Sequence, residues 1–262
     1  MPVLQEMMTI CRQQEVAHNI FELILSGTLV QDVQEPGQFL DLKVPSETML
    51  LRRPISISSW NKQTQTLTLL YRSGDETTGT YALSQLKAGD KVDVLGPLGN
   101  GFDTSNLSHD SKIVIVGGGI GVPPLYELAK ILSHFTKKIT VLTGFSSKNV
   151  VILKDAFCAI EGVTLQISTD DGSEGFHGHV GQLIDELTFV PDAVFACGPN
   201  IMLKSVAQKF LNVENLQLSL EERMACGIGA CYACVIPDKS ESAHALKVCE
   251  DGPVFQAEKV QL

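Results

Sequence analysis

The feature that most restricts the fold is a change of apolar period near residue 105. Before it, apolar and polar residues alternate in short runs. "FLDLKV" (39–44) puts Leu40, Leu42 and Val44 on one face. "TLTLLY" (66–71) does the same with Leu67, Leu69 and Tyr71, and "KVDVLG" (91–96) alternates Val92 and Val94 with Asp93. Successive strand side chains point to opposite faces, so a period of two marks strands with one buried face. With turn signals such as "EPGQ" and "KAGD" between them, these runs predict a small antiparallel barrel or sandwich.

The stretch "DTSNLSHDS" (103–111) is polar and aperiodic and reads as a linker. Beyond it the order becomes strand, turn, helix. "KIVIVGG" (112–118) is a continuous apolar run, as a strand buried on both faces requires. "PPLYELAKILSHF" (123–135) has helical spacing at Leu125, Leu128, Ala129 and Leu132, with Pro123 and Pro124 in the first turn, where proline is tolerated. Strands are predicted at 139–145, 163–169 and 193–199, and a helix at 201–211. Alternating strands and helices predict a doubly wound parallel sheet. The tail from about 221 has too few apolar residues for a core of its own and needs a staple.

Cysteines supply a candidate. Four of the chain's seven fall in the tail, as Cys226-x4-Cys231-x2-Cys234 followed by Cys249. C-x4-C-x2-C with a distant fourth cysteine is the plant-type [2Fe–2S] spacing. Three thiolates must converge from one tight loop, and Gly227, Gly229 and Ala230 let the backbone wrap closely. Structural zinc is the alternative, although zinc sites usually pair ligands as two C-x2-4-C units. Ordinary reduced cysteines are the other.

"VGGGIGVPP" (116–124) joins the buried strand to the helix. Gly117, Gly118, Gly119 and Gly121 would let a diphosphate approach free NH groups at the helix N-terminus, or would simply make a tight turn. "ACGPN" (196–200) ends another strand, and ligands of open parallel sheets bind at such ends. Cys197, Gly198 and Pro199 are therefore candidates for the same crevice, although Cys197 taken alone reads more readily as a buried free cysteine and gains weight only beside the glycine turn. In "LLRRPISISSW" (50–60) Arg53 could pair with a diphosphate and Ser56 could bond a ring nitrogen; a solvated edge arginine is the plain alternative. Thr77, Thr78 and Thr80 could cap a following helix or receive a phosphate. The acidic pairs Asp75–Glu76 and Asp170–Asp171, and His177 with His179, read as loop residues rather than catalytic or metal-binding groups.

Composition narrows the function classes. Hydrophobic residues make up 44% and charged residues 19%, a folded rather than disordered profile. The net charge of −10 argues against a general nucleic-acid or anionic-membrane binder. The first residues lack the basic start of a secretory signal, and no apolar run is long enough to span a bilayer. The chain is expected in the cytoplasm, where clustered cysteines serve metals or redox chemistry more often than disulfides.

The order of these parts resembles the ferredoxin–NADP reductase superfamily. The segments "LLRRPISIS", "GDETTGTYAL", "LGPLGNGF", "GGGIGVPPLYELAK", "TDDGS", "EERMACGIGACYAC" and "HALKVCEDGPVF" are similar to the electron-transfer subunits of class B dihydroorotate dehydrogenases, over nearly the whole chain. That resemblance implies an antiparallel FAD-binding β-barrel over 1–104, an NAD-binding α/β domain over 111–220 and a small [2Fe–2S] module over 221–262. It implies FAD contacts from Arg53, Pro54, Ile55, Ser56, Leu70, Tyr71, Arg72, Thr77 and Thr78, and a cluster held by Cys226, Cys231, Cys234 and Cys249. It further implies NADH as hydride donor and an FMN-containing catalytic subunit as partner, in a heterotetramer with two of each subunit. Hydride delivers two electrons and the cluster takes one, so a flavin must stand between them. No general acid or base is required, and no catalytic residue is assigned. "GFSSKN" (144–149) has no arginine suited to a 2′-phosphate, which favours NADH over NADPH. Two other readings are a reductase component serving an oxygenase or sulfide metabolism, and a nucleotide-binding scaffold with a zinc-stapled tail.

Overall fold

The computed structural model describes residues 3–239 and 245–262. Met1 and Pro2, at the start read for a signal, and His244, in the last of the family-like segments, lie outside the described residues.

Six strands form a closed antiparallel barrel: β1 (Leu4–Ala17), β2 (Ile20–Ser26), β3 (Phe39–Leu42), β4 (Arg53–Asn61), β5 (Thr66–Arg72) and β6 (Lys91–Leu98), in spatial order β1-β2-β5-β4-β3-β6. Closure leaves no exposed edge to pair with another chain. The period-two residues fill its interior, where Leu40, Leu42, Leu67, Leu69, Val92 and Val94 are almost wholly buried. A short helix, α1 (Gly79–Ser84), sits in the β5–β6 connection. Thr78 caps it, its hydroxyl accepting from the Tyr81 NH at 3.3 Å, as a residue of this type does at a helix start.

A seven-stranded sheet follows. Its strands are β7 (Ile113–Gly118), β8 (Ile139–Phe145), β9 (Val163–Thr169), β10 (Phe176–His177), β11 (Ala193–Cys197), β12 (Asn215–Ser219) and, from the tail, β15 (Val254–Gln256). The order is β10-β9-β8-β7-β11-β12-β15, all parallel except the β12–β15 pair. Helices α2 (Pro123–Ser133) and α3 (Lys154–Cys158) supply one core, and α4 (Val180–Asp185) and α5 (Asn200–Lys209) the other. Strand β7 explains its own composition: Ile113 and Ile115 face the α2 side, Val114 and Val116 the α5 side. A strand covered on both faces has no polar alternation to show.

The rest of the tail is a ribbon of β13 (Val235–Pro237) and β14 (Ala245–Lys247). It has no core to itself. Cys234, Ile236, Val248, Cys249 and Phe255 join the α5-side core of the sheet, together with Phe39 and Leu98 from the barrel. Asn100 ties barrel to tail, its amide donating to the Glu250 and Asp251 carbonyls at 3.0 and 3.2 Å.

Candidate functional site

The barrel, the sheet and the tail meet at one cavity of about 310 Å³. Alternation along β4 turns Ile55 and Ile57 into the barrel core and leaves Pro54 and Ser56 on the cavity side. Along β5, Leu69 and Tyr71 point inward and Arg72 lines the cavity. The sheet contributes Gly118, Gly119 and Gly121 from the turn after β7, and Cys197, Gly198 and Pro199 from the end of β11. The two sheet loops touch closely: a Cβ on Gly121 would sit 2.6 Å from the Cys197 carbonyl oxygen. Only glycine permits that approach. Burial pushes the Cys197 thiol up to about 12, against a hydrogen bond from Ser219, so the group is a neutral thiol at pH 7.

A second cavity of about 470 Å³ adjoins the first, sharing Arg72, Gly118, Gly119 and Pro199. It lies over the carboxyl ends of β7, β8 and β9, where doubly wound sheets bind nucleotides. Ser146, Asp170, His179 and Ser205 join Arg72 in its polar lining, and Met202 forms part of its apolar wall.

Arg53, Thr77 and Thr78 stand apart from both cavities, around the start of α1. Arg53 donates through Nη1 to the Leu51 and Arg52 carbonyls at 2.8 and 3.1 Å. Its guanidinium packs so tightly on Gly79 that a Cβ there would lie 2.6 Å from Nε. Among the described residues Nε and Nη2 have no partner, so two donors of a fork-shaped cation remain for an anion. That donor set fits a phosphate.

Three sequence candidates have side chains that face elsewhere. Ile55 and Tyr71 lie in the barrel core and Leu70 in the core shared with α2. The Tyr71 hydroxyl donates to Gln13 Oε1 at 3.1 Å, and burial raises its pKa. Their side chains fill the cores and are absent from the cavity wall. Residues that the sequence reading passed over line the cavities instead: Phe39, Glu221, Glu222 and Met224 in the first, Asp170 and His179 in the second. The "TDDGS" segment was the available signal for Asp170, because it follows a strand. Nothing in their own types marked Phe39 or Met224.

The four tail cysteines fall into two pairs. Cys231, exposed, is hydrogen-bonded to Cys226, and Cys234 and Cys249 are buried with their sulfurs 3.3 Å apart. The Gly229 NH donates to Cys249 Sγ at 3.2 Å. Gly227 and Gly229 take positive φ, 68° and 79°, which turns the loop's NH groups inward. Hydrogen bonds from the Ala233 NH first, then from Cys226, bring Cys231 down to about 7; burial pushes Cys249 up to about 12. Among the described residues no three His, Cys, Asp or Glu side chains converge as the shell of a single ion would. Two pairs of thiols suit a cluster whose four protein ligands are divided between two irons, and do not suit one tetrahedral zinc.

The fold and these sites define a class, an FAD-binding oxidoreductase with an iron–sulfur module. Residues 7–102 match the oxidoreductase FAD-binding domain family, and residues 221–261 match the iron–sulfur cluster binding domain of dihydroorotate dehydrogenase B. The chain belongs to the family of dihydroorotate dehydrogenase B electron transfer subunits. It is 48% identical to the NAD(+) electron transfer subunit of Enterococcus faecalis over 98% of both chains, and 46% identical to that of Listeria innocua over 99% of this chain and 100% of the other. Among solved structures it superposes on an NADH-dependent reduced ferredoxin-NADP oxidoreductase studied for flavin-based electron bifurcation. The TM-score there is 0.83 at 29% identity, covering 98% of this chain and 90% of that one.

Proposed function

We propose that this chain oxidises NADH at FAD and passes the electrons, one at a time, through a [2Fe–2S] cluster to the FMN of a separate catalytic subunit, where dihydroorotate and orotate interconvert: electrons from NADH reduce orotate, and electrons from dihydroorotate run the same path in reverse to NAD+. The observation that carries this reading is the shared cavity. One space is lined at once by the Pro54–Ser56 face of the barrel, the glycine turn, the Cys197–Pro199 loop and the segment that leads into Cys226. Hydride donor, flavin and cluster therefore have adjacent places, and their order in space is the order of electron flow.

FAD, when bound, converts a two-electron hydride transfer into single-electron steps. The rest falls to this chain's side chains. Arg53 holds the diphosphate with the donors left on its guanidinium, beside Thr77 and Thr78, whose own NH groups are engaged by Asp75. Pro54, Ser56 and Arg72 place the ring system at the mouth of the barrel, with Ile55, Leu70 and Tyr71 packed in the cores behind them. Gly118, Gly119 and Gly121 admit the dinucleotide from the other side, with Gly198 and Pro199 closing against it. Cys197, held as a neutral thiol, keeps charge away from the nicotinamide. NADH is favoured over NADPH because the second cavity offers a carboxylate, Asp170, and no cation but Arg72. Cys226 and Cys231 hold one iron, Cys234 and Cys249 the other.

In this reading residues 1–104 are the FAD domain, 111–220 the NAD domain and 221–262 the cluster module, and the subunit works in the cytoplasm in a heterotetramer with two copies of each chain. Clustered cysteines such as those of the tail serve metals or redox chemistry in a reducing compartment. The test is an anaerobic NADH titration of the complex followed by visible spectroscopy. Loss of both flavin and iron–sulfur absorbance is the expected result. Flavin bleaching with iron–sulfur bands unchanged, or with no such bands, overturns the electron path.

A further inference from the structure

The segment from Leu220 to Cys226 joins the cavity to the first cysteine. Leu220, Glu221, Glu222 and Met224 line the cavity, and Cys226 lies two residues beyond Met224. The two glutamates are exposed, whereas Met224 is half-buried. It packs against the core that contains Phe39, Leu98, Cys234 and Cys249. Phe39 and Leu220 belong to the same core and line the same cavity. Three apolar residues thus both line the flavin-side cavity and pack in the core that holds Cys234 and Cys249, namely Phe39, Leu220 and Met224, and of these only Met224 lies in the tail that begins near residue 221.

We propose that Met224 is the side chain that bridges flavin and cluster, setting the rate of the electron's passage between them. The inference rests on the electron path of the preceding subsection. A thioether on an unbranched chain fills an irregular gap and is polarisable, and both properties suit a contact that couples two centres without binding either tightly. The same gap left empty loses its contacts outright, since a void has no atoms on one side. Each NADH loses one hydride and becomes NAD+. The hydride's two electrons cross Met224 in two single passages. Between them the cluster returns to its oxidised form by giving its electron to the FMN of the catalytic subunit, and the hydride's proton is left to solvent. Met224 makes and breaks no bond. It is a positioning residue for an electron and has no part in the hydride step.

That division supplies the test. The complex with its catalytic subunit is mixed rapidly with NADH under anaerobic conditions. Flavin and iron–sulfur absorbance are followed separately, and the reduced cluster is counted by freeze-quench electron paramagnetic resonance. FAD and iron contents are measured on every variant. Met224→Ala is expected to slow cluster reduction, relative to flavin reduction in the same variant, by about tenfold or more, the scale on which loss of a positioning contact is felt. Met224→Leu, which restores the volume, is expected to return cluster reduction to within about twofold of the parent. The parent's ratio of the two rates in Met224→Ala, with full FAD and iron, overturns the proposal. Should that variant lose a cofactor, Met224→Val decides by the same ratio of rates, and an unchanged ratio overturns it there. If the parent itself bleaches its flavin and never reduces its cluster, the electron path of the preceding subsection is what has failed.

Discussion

Two carboxylates carry consequences at the scale of single residues. Asp170 stands just beyond β9, on the second cavity, and its backbone NH is tied to the Phe145 carbonyl at 3.0 Å. Its carboxylate has no partner among the described residues. A free carboxylate at a strand's end accepts from a ribose 2′-hydroxyl and repels a 2′-phosphate. Asp170→Ser is expected to move the ratio of kcat/KM for NADH over NADPH about tenfold toward NADPH, the equivalent of about 1.4 kcal/mol. Steady-state assays with both donors read it directly, and an unchanged ratio removes Asp170 from the donor site. Asp41, on the outer face of β3, is the second case. It is 2% exposed, one carboxyl oxygen has no partner, and burial raises it to about 6 although Arg52 and Arg53 pull the other way. A carboxyl whose folded pKa is raised contributes its full stability at low pH and loses it as pH rises from its unfolded value of 3.8 through about 6. Taken at full weight that interval corresponds to about 3 kcal/mol. Melting temperatures of the parent should therefore fall, relative to Asp41→Asn, between about pH 4 and pH 7. Parallel curves would show that Asp41 ionises in the folded protein as easily as in the unfolded one.

At the scale of elements, legibility follows how local each element's cause is. Strands β8 and β9 occupy the residues that their apolar runs indicate, and α2 and α5 lie within two residues of theirs. In each case the signal is internal to the segment. Strand β1, the longest at 14 residues, left no such signal. Register shifts between Ile10 and Arg12 and between Glu15 and Ala17 break its alternation, and most of its second half faces solvent. A bulge moves every later side chain to the opposite face, so a period-two pattern cannot run through it. Strand β15 is three residues long and owes its existence to β12, 35 positions earlier at its nearest pair, Ser219 with Val254. Long-range pairing of that kind has no local trace. The site shows the same division. The glycine turn, the Cys197–Pro199 loop and the cysteine spacing were readable because backbone geometry and thiolate chemistry demand those residue types in place. Phe39 and Met224 were not, because an apolar side chain on a cavity wall looks like an apolar side chain in a core. Ile55 and Tyr71 show the converse: they sit within a cofactor-binding motif, yet the barrel claims their side chains.

At the scale of the whole molecule, the cluster module is a lid on the joint between two domains rather than a domain on its own footing. Its buried cysteines, Cys234 and Cys249, belong to the core that the sheet and the barrel share, while Cys231 is exposed and Cys226 half-buried. The two halves of the proposed ligand set therefore differ in what their loss does to the protein. Cys231→Ser alters an exposed position, so the barrel, the sheet and both cavities remain. It is expected to abolish cluster absorbance and dihydroorotate-linked turnover while NADH still bleaches the flavin at the parent rate. Cys249→Ser puts a hydroxyl into an apolar core beside Cys234, at a cost of about 1–3 kcal/mol if the group finds no partner. In that variant the cluster should be lost together with stability, seen as a lower melting temperature and weaker FAD retention. The comparison is made best on protein from which the iron has been removed by chelation, because binding of the metal adds its own stabilisation to the parent and hides the difference. Melting temperatures ordered parent, Cys231→Ser, then Cys249→Ser, with a clear gap only at the last, would show that one pair anchors the module to the shared core and the other faces outward, toward the subunit that receives the electrons. Melting temperatures left unchanged by both substitutions in the iron-free protein would mean that the module folds on the cluster alone.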